Sequence, residues 1–291
     1  MKVNLALLKK LYLINHPCGE ENAMISFIIN YCYKIPHLTF TLDSYGNLYI
    51  TKNTTNPDYY PCLIAHTDTV HFLYKPREIV VKDGIITAQY IDTQEQCGLN
   101  ADDSNGILIC LQMLETLPNL KVCFTIEEES GGKGAQAASD NYEFFSNVKC
   151  LLEPDRRGKS DLITYTNNKQ CASSELIDDI KQISDLYGYT PTTGIFTDVG
   201  ILCPNLCIAG VNISCGYYNE HTNKEMCVIK ELSNCLNYIY SIILHLPDKL
   251  YFLQQEGLEK TDEDYTYPKE KDFPCNHCST FDCMYCSNYP Y

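Results

Sequence analysis

The chain has 291 residues, a length that predicts one large domain or two ordinary ones around a substantial core. Asp and Glu (37) outnumber Lys and Arg (22), which gives a formal net charge of −15 without any basic run. Phosphate backbones would be repelled, so this balance argues against nucleic-acid binding by the main body. No stretch has the ~18 to 20 uninterrupted apolar residues of a membrane span, and lysines within the apolar start favour an amphipathic helix over a signal peptide.

The first third of the chain predicts two helices, two hairpins and one buried strand. Helical spacing predicts helices over 4–15 and 20–34, separated by the breakers in HPCGEEN. Alternating apolar residues predict one hairpin around Ser44-Tyr45-Gly46 and another around Asp83-Gly84. Between the hairpins, YPCLIAH is typical of a buried strand that ends on His66.

The remainder predicts buried strands that alternate with helices. Helices are expected from about Asp103 to Thr116, briefly over KGAQAASD, over SSELIDDIKQISDLYG, and from Lys230 to Leu246. Strands are expected over KVCFTIE, VKCLLEP, DLITYT and NLCIAGV. This alternation predicts an α/β fold whose largely parallel sheet is covered on both faces. Ligands of such sheets gather beyond the C-terminal ends of the strands.

Five segments carry the candidate site. They are LIAHTDTV with His66 and Asp68, NADDSNG with Asp102, TIEEESGG with Glu128 and Glu129, LLEPDRRG with Asp155, and GYYNEHT with His221. Taken singly, each has an ordinary explanation: a hydrogen-bonded loop histidine, a helix N-cap, a solvated acidic turn or a surface ion pair. Together they offer the nitrogen and oxygen ligands that zinc accepts.

The ordered set HTD, ADDxxG, EEE-S-G, a lone Asp after a strand and a late His resembles the co-catalytic di-zinc metallopeptidases. That clan includes tripeptidase T, leucyl aminopeptidases, the tetrahedral aminopeptidases and carboxypeptidase G. The resemblance covers roughly residues 4–246. It implies a three-layer αβα zinc exopeptidase-like fold with a central mixed, mostly parallel sheet.

The resemblance also implies a role for each residue of the site. The metal ligands would be His66, Asp102, Glu129, Asp155 and His221, which would hold two Zn²⁺, with Mn²⁺ or Co²⁺ as alternatives. Asp102 would bridge the two ions, and the peptide bond to Asp103 would be cis. Asp68 would orient His66, and Glu128 would be the general base that acts on the attacking water. This register of the triplet Glu127 to Glu129 rests on the family pattern of two glutamates, a small or apolar residue and glycine.

Members that carry a lid insert a domain between the lone Asp and the late His. Here only 66 residues separate Asp155 from His221, which is too short a span for a further domain besides the expected strands and helix. We therefore expect a catalytic domain without a lid over 1–250. Tyr217 or Tyr218 is a candidate for the transition-state donor that a lid would supply, with ordinary packing as the alternative.

Residues 251–291 are expected to form a charged linker and a cysteine-rich tail. Cys275, Cys278, Cys283 and Cys286 follow the pattern CxxC-x4-CxxC, which is typical of a structural Zn²⁺ site. Disulfides, a disordered tail and an iron–sulfur cluster are the alternatives. The other thirteen of the 17 cysteines are scattered singly, many within apolar runs, which favours free thiols in a reducing cytoplasm.

The leading hypothesis is a cytoplasmic di-zinc aminopeptidase that cleaves short peptides and contacts neither nucleic acid nor membrane. Many members of the clan assemble, so the resemblance leaves a homo-oligomer open, although no surface in the sequence identifies an interface. An amidohydrolase that acts on acyl-amino acids or cell-wall peptides is an alternative on the same scaffold. A non-catalytic binding protein that retains the fold is a second alternative.

Overall fold

The computed structural model describes residues Met1–Leu253, which form one compact unit. The predicted charged linker and the four tail cysteines lie outside the described residues. Within the unit, Tyr251 is fully buried, and its backbone bonds to Lys149 and Ala209 tie it to the sheet region. The compact unit therefore extends past the last predicted helix.

The described residues contain eight helices and fourteen strands. The helices are α1 (Leu5–Leu13), α2 (Asn22–Cys32), α3 (Ala101–Thr116), α4 (Lys133–Ala138), α5 (Tyr142–Phe145), α6 (Ser174–Tyr187), α7 (Asp198–Leu206) and α8 (Ile229–His245). The strands are β1 (Leu38–Leu42), β2 (Leu48–Asn53), β3 (Tyr60–His66), β4 (Arg77–Lys82), β5 (Ile85–Tyr90), β6 (Gln96–Cys97), β7 (Asn119–Thr125), β8 (Val148–Arg156), β9 (Asp161–Thr166), β10 (Lys169–Gln170), β11 (Thr190–Gly194), β12 (Gly210–Ser214), β13 (Tyr217–Tyr218) and β14 (Met226–Val228).

The main sheet has nine strands in the order β1-β2-β7-β3-β8-β12-β9-β10, with β11 beside β9. Its centre, β7-β3-β8-β12, is parallel, whereas β2 and β9 join that centre in antiparallel fashion. The predicted mixed, mostly parallel sheet is confirmed. Because β7, β3 and β8 are adjacent and parallel, their C-terminal ends lie together at one edge of the sheet.

Helices cover both faces of this sheet. Successive side chains of a strand point to opposite faces, and β3 follows this rule. Leu63 and Ala65 pack in one core with α1, α2, α3, α6 and α8, whereas Cys62 and Ile64 pack in a second core with α4, α5 and α7. The three-layer αβα architecture is therefore confirmed.

A smaller, separate sheet has five strands in the order β13-β14-β5-β4, with β6 beside β5. Asp83 and Gly84 both have positive φ at the β4–β5 turn, where the sequence predicted the second hairpin. Strand β6 leads into the segment of Asp102, and the loop between β13 and β14 carries His221. This sheet thus positions two of the five candidate segments.

One predicted element differs from the structure. The apolar run NLCIAGV was expected to be a single strand, but α7 ends at Leu206 and β12 begins only at Gly210. Helix α7 escaped prediction because Gly200 and Pro204 are typical helix breakers and because short buried helices and strands have similar apolar runs.

The thirteen cysteines of the described residues form no disulfide, and eleven of them are buried. This agrees with the expectation that they pack as small apolar side chains. Among the described helices, none combines the length and the apolar character needed to cross a membrane.

Candidate metal centre

His66 is the last residue of β3 and is almost fully buried. Its Nε2 lies 2.9 Å from Asp102 Oδ1 and 3.6 Å from Asp155 Oδ1. On its other side, Nδ1 is 3.1 Å from the backbone oxygen of Asp68 and 3.3 Å from Asp68 Oδ1. Asp68 therefore accepts the Nδ1 proton, which turns Nε2 toward the two other carboxylates.

Asp102 contacts both predicted histidines. Its second oxygen, Oδ2, lies 3.3 Å from Nε2 of His221, and the same nitrogen is 2.9 Å from Glu129 Oε1. The peptide bond from Asp102 to Asp103 is cis, as the resemblance implied. One carboxylate thus belongs to two groups of potential ligands, one with His66 and Asp155 and the other with Glu129 and His221.

The glutamate triplet divides between the site and the surface. Glu127 points away, because its Oε2 is 3.1 Å from Lys133 Nζ and accepts a 2.9 Å hydrogen bond from Tyr45. Glu128 is buried, and Glu129 contacts His221. The backbone N–H groups of Glu128 and Glu129 each donate to a different oxygen of Asp68 at 3.0 Å, so Asp68 also holds the loop after β7.

The structure thus brings all seven predicted residues of the main body together. We call His66, Asp68, Asp102, Glu128, Glu129, Asp155 and His221 the carboxylate–histidine cluster. Of the two candidate tyrosines, Tyr217 is buried and its hydroxyl donates to Asp155 Oδ1 at 3.2 Å. Tyr218 instead donates to Glu231 and makes no described contact with the cluster.

Asp155 is oriented by a polar network that the sequence analysis missed. Asn212 accepts from the backbone N–H of Asp155 at 3.1 Å and donates to its carbonyl at 2.9 Å. The same side-chain amide donates to Thr197, whose hydroxyl donates to the buried carboxylate of Glu153. Asn212 belongs to β12, a neighbour of β8 that is distant in sequence, so no local signal identified it.

Asp103 and Asp198 are two further buried carboxylates beside the cluster. A possible ligand atom of Asp103 lies within 4.8 Å of those of His66 and Asp155. Asp103 Oδ2 and Asp198 Oδ1 are buried without a hydrogen-bond partner in the described residues. Burial first, and then the charge of Asp155, raise the pKa of Asp103 well above its ordinary value.

Crowding of carboxylates governs the electrostatics of the cluster. Burial and then the charge of Asp102 raise the pKa of Asp155 to about 8. Burial, together with the charges of Asp155 and Asp198, raises the pKa of Glu128 well above its ordinary value. Without a cation, some of these carboxyl groups must hold protons at neutral pH.

The histidines show the complementary effect. Hydrogen bonds to Asp102 and Glu129 raise the pKa of His221 to about 11, although burial opposes them. Burial also acts to lower the pKa of His66, but its bonds with Asp102 and Asp155 raise it well above the ordinary range. The protons on these two imidazoles provide positive charge at the positions where a bound divalent cation would otherwise provide it.

The donor set is compatible with divalent cations. The atoms offered by Asp102, Glu129 and His221 lie within 4.8 Å of one another, as do those offered by His66, Asp103 and Asp155. Imidazole nitrogens and carboxylate oxygens are ligands of zinc, manganese and cobalt. The buried carboxylate oxygens that lack a partner are a further sign that positive charge belongs at this site.

Comparisons with known proteins identify the fold. No protein-family model and no curated protein sequence matches the chain. Among solved structures, aminopeptidase PepT from Bacillus cereus is similar with a TM-score of 0.68 at 15% identity, over 83% of this chain and 98% of that one. A tripeptidase from Staphylococcus aureus has a TM-score of 0.64 at 16% identity, over 82% and 96% of the two chains. The TET1 peptidase of Pyrococcus horikoshii has a TM-score of 0.64 at 14% identity, over 82% and 98%.

These similarities define the class of fold. The chain has the α/β fold of the aminopeptidases and tripeptidases, which is the group that the sequence resemblance named. At such low identities the similarity shows the fold alone.

Proposed function

We propose that the chain is a metal-dependent aminopeptidase that hydrolyses short peptides with the help of two zinc ions. The observation that carries this proposal is the position of Asp102, whose two oxygens lie 2.9 Å from His66 and 3.3 Å from His221. A carboxylate shared in this way is suited to bridging two cations. The proposal is further supported by the fold, since the solved structures described above are named as an aminopeptidase, a tripeptidase and a peptidase.

In this proposal the cluster provides two ligand groups. His66, Asp102 and Asp155 would hold one ion, and Asp102, Glu129 and His221 would hold the other. Manganese or cobalt could use the same donors. When bound, two divalent cations supply Lewis acidity, which polarises a scissile carbonyl and makes water a stronger acid.

Glu128 is the proposed general base. Its carboxylate is buried beside the ligands but is not needed by either group, and two bound cations would keep it ionised, so that it can accept a proton from the attacking water. The water oxygen bonds to the carbonyl carbon, the carbon–nitrogen bond breaks, and Glu128 returns the proton to the leaving amine. Asp68 supports this step because it holds the backbone of Glu128 while it orients His66.

The test is a panel of di- and tripeptides offered with a free or an acetylated N-terminus to the zinc-loaded protein. An aminopeptidase releases the first residue of the free peptides and leaves the acetylated ones intact, which mass spectrometry detects directly. Preferential cleavage of the acetylated series would instead identify an amidohydrolase. Binding of zinc and peptide without cleavage of either series would identify a binding protein.

The proposal also includes the oligomeric state of the protein and its location in the cell. The TET1 peptidase of Pyrococcus horikoshii can assemble into a tetrahedron or a large octahedral shell, which supports a homo-oligomer here as well. Light scattering of the purified chain tests this. The buried thiols of the described residues support a reducing cytoplasm, and fractionation of the source cells tests the location.

A further inference from the structure

Glu225 is a fully buried acidic residue outside the carboxylate–histidine cluster, and it binds the backbone that leads to Asp102. Glu225 Oε2 accepts hydrogen bonds from the N–H groups of Leu99 and Asn100 at 2.8 and 2.9 Å. Glu225 Oε1 accepts from those of Ala101 and Asp102 at 2.8 and 3.1 Å. One carboxylate therefore provides the acceptor for four consecutive amides.

The helix itself does not hold this segment. Helix α3 begins at Ala101, but Asp102 (φ −86°, ψ 105°) and Asp103 (φ −114°, ψ 39°) have non-helical backbone angles. Asn100, the residue at the cap position, makes no capping bond with its side chain. Buried amides need an acceptor, and here a residue more than a hundred positions away in sequence provides it.

Glu225 and His221 belong to the same loop, between β13 and β14. Through that loop, Asp102 is held at two points. Its carboxylate Oδ2 lies 3.3 Å from His221 Nε2, and its backbone N–H lies 3.1 Å from Glu225 Oε1. The loop between β13 and β14 therefore sets the distance between the carboxylate of Asp102 and the imidazole of His221.

A third segment joins this arrangement through His71, which follows the HTD motif. His71 Nε2 donates to Glu225 Oε2 at 3.1 Å. The His71 ring packs so tightly on Gly98 that an added Cβ there would lie 2.5 Å from His71 Nδ1, so any larger residue at this position would displace the ring. Glu225 thus connects the loop after β3, the segment of Asp102 and the loop of His221.

We propose that Glu225 is a positioning residue that fixes Asp102 relative to His221 and so sets the affinity for the second cation, an inference that rests on the proposed function. The group of Asp102, Glu129 and His221 depends on it most, because His221 comes from the loop of Glu225 and is itself half-exposed. The first group depends on it less, because His66 lies at the end of a central strand and is held by Asp68.

The test replaces Glu225 by Gln, which keeps the shape but places an NH₂ group against two of the four amides. All measurements use the tail-serine variant as the parent protein. In this variant serine replaces Cys275, Cys278, Cys283 and Cys286, so that only the main body can bind metal. Glu231→Gln is the matched control, because Glu231 accepts from the Tyr218 hydroxyl and has no described contact with the segment of Asp102.

Two readouts are expected to change in Glu225→Gln and to stay unchanged in Glu231→Gln. In the metal-free protein, hydrogen exchange should become faster at the amides of 99–102. In a Co²⁺ titration followed by visible absorption, the first equivalent should bind as in the parent. The second equivalent should bind at least about tenfold more weakly than it does in the parent. Unchanged exchange, or two equivalents bound with parental affinity, would overturn the inference.

If Glu225→Gln does not fold, Glu225→Asp serves as the second variant. It keeps the charge on a shorter side chain, so the second equivalent should again bind more weakly than it does in the parent, and parental affinity for both equivalents would overturn the inference. A parent chain that binds fewer than two equivalents would refute the two-cation proposal itself. The exchange measurement would still decide whether Glu225 holds the segment of Asp102.

Discussion

Asp68 lies directly behind His66, with its Oδ1 3.3 Å from His66 Nδ1 on the side opposite to the other carboxylates. The two residues are separated by one position at the end of a central strand, and both are buried. Such a carboxylate fixes the tautomer of a ligating imidazole and raises its basicity. In the proposed function, this pair would therefore help to set the affinity of the site for metal.

Replacement of Asp68 by Asn should weaken metal binding by about 10- to 100-fold, because the amide no longer draws the Nδ1 proton of His66. Competition with a chromogenic chelator measures this change. Asp161→Asn, the same substitution in a half-exposed ion pair with Arg156, should leave the affinity unchanged. Equal affinities in the two variants would contradict the role of Asp68.

Replacement of Glu128 by Gln should lower kcat by roughly 10²- to 10⁴-fold, because no other side chain is assigned to accept the proton from water. The bound metal should remain, since Glu128 belongs to neither ligand group. Glu127→Gln is the control within the same triplet, and it should be nearly as active as the parent because Glu127 contacts Lys133 and Tyr45. If Glu127→Gln were the inactive variant, the proposed register would be wrong.

Removal of metal should destabilise the chain, because buried carboxylates of like charge are then left without cations. Ligand linkage predicts a stabilisation of about 2.7 kcal/mol when free zinc exceeds its dissociation constant by about a hundredfold. For a domain of this size that corresponds to a fall in Tm of roughly 5 to 10 °C on adding chelator. The tail-serine variant should show this shift and its Asp102→Ala derivative should not. A parent Tm that responds to neither zinc nor chelator would contradict the proposal.

His16 should make the fold sensitive to acid. It is fully buried, its Nδ1 donates to the Thr67 carbonyl at 2.8 Å, and burial lowers its pKa to about 4. The unfolded chain therefore binds more protons than the folded chain between about pH 6.5 and pH 4, so the free energy of unfolding decreases as the pH falls through that range.

The loss attributable to His16 between pH 7 and pH 5 is about 2 kcal/mol. Urea unfolding of the chelator-treated protein at both pH values measures it, with His16→Gln as the test variant. His16→Gln should lose less stability than the parent by this amount, whereas His245→Gln, at an exposed position, should behave like the parent. Identical pH dependence in the parent and in His16→Gln would refute the assignment.

Local patterns predicted those residues of the carboxylate–histidine cluster that end or follow buried strands. His66 ends β3, Asp155 lies within the last two residues of β8, and the glutamate triplet follows β7, so each is marked by its own apolar run. His221 lacks such a run and was identified only through the ordered resemblance. The cis bond between Asp102 and Asp103 also came from that resemblance, since adjacent residues alone do not indicate it.

Residues that act through distant contacts could not be predicted from the sequence. Glu225 has the appearance of an ordinary loop glutamate, and only the folded chain brings it to the amides before Asp102. The same holds for Asn212 on β12, which contacts Asp155 on the neighbouring strand β8. Short apolar runs also failed to distinguish α7 from a strand, because both bury similar side chains.

A shared two-cation centre can be tested by the zinc content per chain, measured by elemental analysis on the tail-serine variant and on its Asp102→Ala derivative. Two equivalents of zinc are expected in the tail-serine variant, and both ligand groups should lose zinc when Asp102 is replaced, because one carboxylate serves both. Equal zinc content in the two proteins, or no zinc after incubation with the metal, would contradict a shared two-cation centre.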